Sequence, residues 1–152
     1  MKHLKHYENW FTNIFKSGDD MWQDYMDDTL GKIMSKGYNA LMGAADEGNW
    51  NRFKNLFPKY KKYINDISYH YHNSKISSSS TLLMHIVLGN GDLWEKKKML
   101  KITLNDQNVN YHYKNEKGKN FYDLIKDPKL KKWFDETFPN ILLDLSANKY
   151  NL

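Results

Sequence analysis

Gly37-Tyr38-Asn39-Ala40-Leu41-Met42-Gly43-Ala44-Ala45-Asp46-Glu47-Gly48 is the stretch on which the reading of the fold turns. A glycine opens it, a short apolar run fills it, and a second glycine closes it. Tight turns favour such flanking residues, because Gly adopts positive φ at no steric cost. The pair Ala44-Ala45 carries almost no side chain, so a neighbouring helix can come close. The spacing predicts one short helix held between two turns.

The pattern returns further along. Thr81-Leu82-Leu83-Met84 lies 42 residues after Asn39-Ala40-Leu41-Met42 and keeps the same Leu-Met pair. Gly91-Asp92-Leu93 follows it as Gly48-Asn49-Trp50 follows the first, and Met99-Leu100 answers Leu56-Phe57. Val109-Asn110-Tyr111-His112-Tyr113-Lys114-Asn115 answers Ile67-Ser68-Tyr69-His70-Tyr71-His72-Asn73, again at an offset of 42. Both alternating segments read as strand-like. A third unit opens at Gly118-Lys119-Asn120-Phe121-Tyr122-Asp123-Leu124-Ile125. Its second helix starts at Asp127-Pro128, with Asp as cap and Pro at the first helical position. Ser77 to Ser80 reads as a polar linker.

These motifs resemble those of ankyrin repeats, whose first helix is marked by a Gly-x-Thr-Pro-Leu-His-x-Ala-Ala-x-x-Gly pattern. Gly37, Leu41, Ala44, Ala45 and Gly48 match it; Asn39, Ala40 and Met42 stand where the family has Thr, Pro and His. Ile86-Val87 replaces the small Ala pair in the second unit. The family period is about 33 residues, so the longer spacing here places extra residues in the fingers and after the second helices. The resemblance covers residues 37–138. It implies an all-α, ankyrin-like helical repeat solenoid with short finger hairpins, formed as a single domain over residues 1–152.

Repeat arrays need terminal caps to cover their end faces. Leu4, Tyr7, Trp10, Phe11, Ile14 and Phe15 form one helical stripe, and Trp22, Tyr25, Met26, Leu30, Ile33 and Met34 another. Residues 1–36 are therefore expected to form the N-terminal cap. Residues 139–152, with Ile141-Leu142-Leu143, are expected to dock as a short final helix. The opening Met1-Lys2-His3-Leu4-Lys5 resembles the start of many small phage proteins, which implies a phage- or virus-encoded chain acting in the host cytoplasm.

The 152-residue chain has no cysteine, which excludes disulfides, thiolate nucleophiles and Cys-based zinc sites. No apolar run approaches the roughly 20 residues of a membrane span. The expected protein is thus cytoplasmic and monomeric. Phosphate loops, nucleophile elbows and zincin motifs are all missing, so the reading is non-enzymatic, with no catalytic residues and no cofactor. His70 and His72 share one face of an alternating strand, yet no Asp or Glu lies in that finger, so no metal site is expected.

Two surfaces remain as binding candidates. Aromatic residues make up 15% of the chain, and Tyr is favoured in binding surfaces. Tyr69, His70, Tyr71, His72, Tyr111, His112 and Tyr113 on the fingers are the first candidate. In the resembled family, fingers and first helices line the concave face that meets partners, so the expected partner is another protein. The second candidate follows from the formal net charge of +5. Lys59, Lys61 and Lys62, then Lys96, Lys97, Lys98 and Lys101, then Lys129, Lys131 and Lys132 recur at or after the three second helices. If the units stack, these lysines line up as a convex basic ridge, suited to nucleic acid or another polyanion. A structural subunit of a viral assembly is the third alternative.

Overall fold

The computed structural model describes residues 37–72 and 75–150; the expected N-terminal cap over residues 1–36 lies outside them. Six α-helices and one two-stranded hairpin are found among the described residues, so the protein is mostly helical. In chain order these are α1 (Ala40–Glu47), α2 (Trp50–Tyr60) with a 3-10 turn at Lys61–Tyr63, β1 (Ser68–His72), β2 (Lys75–Ser80), α3 (Leu82–Leu88) and α4 (Leu93–Leu104). A second 3-10 turn at Tyr122–Leu124 precedes α5 (Pro128–Thr137) and α6 (Pro139–Tyr150).

Capping chemistry sets the helix bounds. The Asn39 side chain accepts from Met42 N at 3.1 Å and starts α1. Gly48, at φ 68, ends it: its N–H donates to Ala45 O and the next N–H, of Asn49, donates back to Ala44 O. That pair of bonds satisfies carbonyls that a helix end would otherwise leave open. Asn49 then caps α2 through Arg52 N, Asp92 caps α4 through Glu95 N, and Asp127 caps α5 through Lys129 N with Pro128 behind it. Each carboxylate or amide oxygen takes one of the free first-turn donors.

The helix α1 packs on α2 and on α3; α3 packs on α4 and touches the Tyr122–Leu124 turn; α2 packs on α4, and α4 on α5. Two rows result, one of α1, α3 and the turn, the other of α2, α4 and α5. Leu41 and Leu83 occupy matching buried places in the first row. One apolar cluster runs through both rows, with Phe53, Met99, Leu100, Phe121 and Phe134 among its members. The ends of α1 and α3 meet backbone to backbone. A Cβ on Gly48 would lie 2.2 Å from Gly91 Cα, and one on Gly89 would lie 2.3 Å from Ala45 O. Asn90 N donates to Asp46 O at 2.9 Å across the same junction.

Three expectations are corrected. Ser77–Ser80 is not a linker: it belongs to β2, which pairs antiparallel with β1, Ser68 opposite Ser80 and Tyr69 opposite Ser79. The pairing register shifts by one residue between His70 and Tyr71. Serine is a poor strand former by packing, but here the Glu116 carboxylate accepts from both Ser79 N and Ser79 Oγ, at 2.8 and 3.0 Å.

The second finger is not a hairpin. The segment holding Tyr111, His112 and Tyr113 is irregular, because side chains take its backbone donors. Asp106 Oδ1 accepts from Asn108 N, Asn110 Oδ1 from His112 N, and Asn115 Oδ1 from both Lys117 N and Lys119 N. Such local bonds compete directly with strand pairing.

In the third unit the first helix shrinks to the Tyr122–Leu124 turn. Asn120 and Asp123 cap one another reciprocally, Asp123 N to Asn120 Oδ1 at 3.0 Å and Asn120 N to Asp123 Oδ2 at 3.1 Å. Pro128 then disfavours helical backbone at Asp127, leaving no room to extend. Pro139 does more than stop α5, for it also opens α6, whose 12 residues exceed the short helix expected.

Candidate functional site

The two Tyr-His segments lie side by side. Asn65, just before β1, bridges to the later segment: its Nδ2 donates to Asn108 O at 2.6 Å and its Oδ1 accepts from Asn110 N at 2.7 Å. Tyr113 OH donates to Ser79 Oγ of β2 at 2.8 Å. Tyr69 is half-buried and His70 exposed, while Tyr71 and His72 stand opposite Ile76 and Lys75 in the strand pairing.

The second segment is tied to α6. Tyr111 OH donates to Asp144 Oδ2 at 2.6 Å, His112 Nε2 bonds the same oxygen at 2.8 Å, and Asn148 Nδ2 lies 2.9 Å from His112 Nδ1. With the amide donating to Nδ1, the ring proton sits on Nε2, facing the carboxylate. The bond from the Tyr111 hydroxyl, followed after the opposing desolvation by His112, holds the Asp144 carboxyl below its usual range. The same bond, with burial and the Asp144 charge behind it, pushes the Tyr111 phenol up. The polar groups of Tyr111, His112 and Tyr113 are thus committed within the molecule.

The lysines divide as well. Exposed residues include Lys54 and Lys59 on α2, Lys98 and Lys101 on α4, and Lys129, Lys131 and Lys132 on α5. Lys61 and Lys62, in the turn after α2, are exposed too. Among exposed residues of these three helices the acid is Glu136. Lys96 leaves the expected ridge, since it is half-buried and its Nζ donates to Val87 O at 3.0 Å. Lys97 is half-buried with its Nζ 5.8 Å from the Trp133 ring centre. Lys54, which stands outside the runs of lysine in the sequence, is exposed on α2 as well.

A further cluster has no motif in the sequence to announce it. Ser68 Oγ lies 2.8 Å from His85 Nε2, His85 Nδ1 lies 2.8 Å from Asp46 Oδ1, and Tyr38 OH donates to Asp46 Oδ2 at 2.7 Å. The order hydroxyl, imidazole, carboxylate is that of a hydrolytic triad. Its surroundings differ from those of an attacking serine. Ser68 is 0% exposed, on β1 of the hairpin, and its Oγ also lies 3.2 Å from Ser80 O. A substrate carbonyl reaches Ser68 only if β1 parts from α3.

The protons can be counted. His85 Nδ1 faces a carboxylate and carries a proton. If the Ser68 hydroxyl donates to Ser80 O, then Nε2 donates to Ser68 and the ring is an imidazolium. If the hydroxyl donates to Nε2, the ring is neutral. Either way the cluster joins α1, β1 and α3 and holds the hairpin onto the helices. The Tyr38 ring meets the His85 ring edge-on at 5.5 Å, and burial, then the bond to Asp46, pushes its phenol far up.

Among the described residues, no three His, Asp or Glu side chains gather as metal ligands, and no helix is long and apolar enough to cross a membrane. The chain matches no protein-family model, no curated protein and no solved structure.

Proposed function

We propose that this protein is a non-catalytic binding module, a degenerate ankyrin-like solenoid of about three units that grips a partner protein with its hairpin side. The domain runs from an N-terminal cap over residues 1–36, through units over residues 37–138, to a C-terminal cap, and works as a monomer in the cytoplasm of a host cell. The observation that carries this reading is the adjacency of the two Tyr-His segments through Asn65 and Tyr113. In favour of the solenoid stand the two helix pairs α1–α2 and α3–α4, packed on one another with matching caps. A surface already fixed by internal bonds binds with little ordering cost.

The internal bonds also narrow the contact set. Tyr111 and Tyr113 shape the surface, while Tyr69 and His70, on the first strand, meet the partner. Affinity capture from the native host compares the unaltered chain with Tyr69→Ala/His70→Ala. The double variant should lose its specific captured protein while keeping its helical circular dichroism. Capture of the same protein in equal amount by both would reject the hairpin side.

A further inference from the structure

On the opposite row of helices, we propose a binding site for single-stranded nucleic acid across α2, α4 and α5. The first ground is charge. Lys59 of α2, Lys98 and Lys101 of α4, and Lys129 and Lys132 of α5 are exposed on three helices that pack in sequence. Packed helices stand about 8–10 Å apart, so the cations form a track roughly 20 Å across rather than a single cluster. A flexible backbone carrying one phosphate per nucleotide can follow such a track.

The second ground is aromatic. Trp94 is 55% exposed. It shares one face of α4 with Lys98 and Lys101, at positions i, i+4 and i+7. Lys98 Nζ lies 5.5 Å from its ring centre. Tyr63, 38% exposed at the α2 end of the track, has Lys62 Nζ 4.9 Å from its ring. Bases stack on exposed rings whatever their sequence, and cations beside the rings hold the phosphates. Duplex DNA is a poorer fit, since its bases are already paired and stacked on one another and leave none free for the exposed rings. A featureless acidic chain would use the lysines and leave Trp94 idle.

Fluorescence anisotropy tests this with the full chain and a fluorescein-labelled 20-nucleotide oligo-dT, against a 20-base-pair duplex and labelled polyglutamate. The strand should bind more tightly than either competitor, and its affinity should fall steeply with salt. Lys98→Gln/Lys101→Gln should flatten the log–log salt slope by roughly 1.4, at about 0.7 for each phosphate of a single strand left without its cation. Trp94→Ala should weaken oligo-dT about ten-fold, within the range for losing one stacked base, and leave polyglutamate unchanged. Both variants alter exposed side chains, and circular dichroism checks their folds. No binding of oligo-dT at 50 mM salt overturns the proposal. Equal binding of polyglutamate, with Trp94→Ala harmless to both, overturns it in favour of an acidic protein, and tighter duplex binding overturns it in favour of double-stranded DNA.

Discussion

Gly48→Ala and Gly118→Ala make a matched pair of perturbations. Both glycines sit at similar positive φ, 68° and 72°. Each Ala variant therefore carries the same left-handed backbone cost, about 1–2 kcal/mol, offset by about 0.4–1 kcal/mol from a less flexible unfolded chain. Around Gly118 a new Cβ meets nothing within 4 Å, so its net cost should be about 1 kcal/mol. At Gly48 the Cβ falls 2.2 Å from Gly91 Cα, 2.3 Å from Gly91 N and 2.9 Å from Asn90 C. All three are backbone atoms, so the ends of α1 and α3 must part by roughly 1 Å or more to reach ordinary van der Waals separation. Parting them breaks the Asn90 N to Asp46 O bond, worth about 1 kcal/mol, and loosens the packing around buried Ala45. Gly48→Ala should therefore cost about 3–4 kcal/mol in total. Urea titrations followed by helical circular dichroism read both variants, with the slope checked for constancy. Asn tolerates left-handed backbone, so Gly118→Asn should be close to neutral while Gly48→Asn stays costly. If Gly48→Ala costs no more than Gly118→Ala, the α1–α3 junction is not closely packed and the stacking of helix pairs is wrong.

The remaining predictions concern hydrogen bonds and protons. Asp46→Asn and His85→Ala should be non-additive in a double-mutant cycle by about 1–2 kcal/mol, reduced in concentrated salt because the Asp46 side chain is 42% exposed; additivity within about 0.3 kcal/mol would dissolve the buried cluster as an energetic unit. Asp144 titrates below its usual range, so its bonds to Tyr111 and His112 contribute above the unfolded carboxyl value, near 3.9, and are lost as pH falls through the lower folded one. Carbon-detected titration of Asp144 should show its midpoint rise in Tyr111→Phe, and an unmoved midpoint would deny the hydroxyl that role. The Tyr122 phenol is pushed up to about 12, by burial first and then by its bond to Asp135. Its contribution is complete below the unfolded value of 10.0 and fades as pH rises toward the folded one; Tyr122→Phe should flatten the alkaline limb of stability against pH, and an identical limb would refute it.

The local signals were the legible ones. Gly48 closes α1 as its place in the sequence led one to expect, because ending a helix needs only a residue free to adopt positive φ, while the Asn39 cap at the other end went unread. Asp127-Pro128 announced α5 by equally local means. The offset of 42 between Tyr69-His70-Tyr71 and Tyr111-His112-Tyr113 correctly made them neighbours, yet it did not carry conformation with it. Asp106, Asn110 and Asn115 capture the backbone donors of the second segment, and the first segment instead finds a partner strand rich in serine. Nothing near Ser77–Ser80 in sequence hints at that, since Glu116, which accepts from Ser79, lies 37 residues away. The Ser68–His85–Asp46 cluster was out of reach for the same cause: its bonds span 17 and 39 residues. Lys96 and Lys97 read as ridge lysines until the packing of α4 turned one toward Val87 O and the other toward Trp133.

The two sides of the molecule are built by opposite uses of polar groups. On the hairpin side, carboxylates are placed to accept from neighbours: Asp46 takes Tyr38 and His85, Glu116 takes Ser79, and Asp144 takes Tyr111 and His112. Each of these acids has hydrogen-bond partners within the molecule, most of them neutral hydroxyl or N–H donors. On the row of α2, α4 and α5, the exposed lysines outnumber the exposed acids, Glu136 and the caps Asp92 and Asp127, so a net positive field is left standing. That division makes the two proposed sites separable by experiment: salt should weaken polyanion binding at the lysine row steeply and partner binding at the hairpin side less, because the row acts through exposed like charges that salt screens.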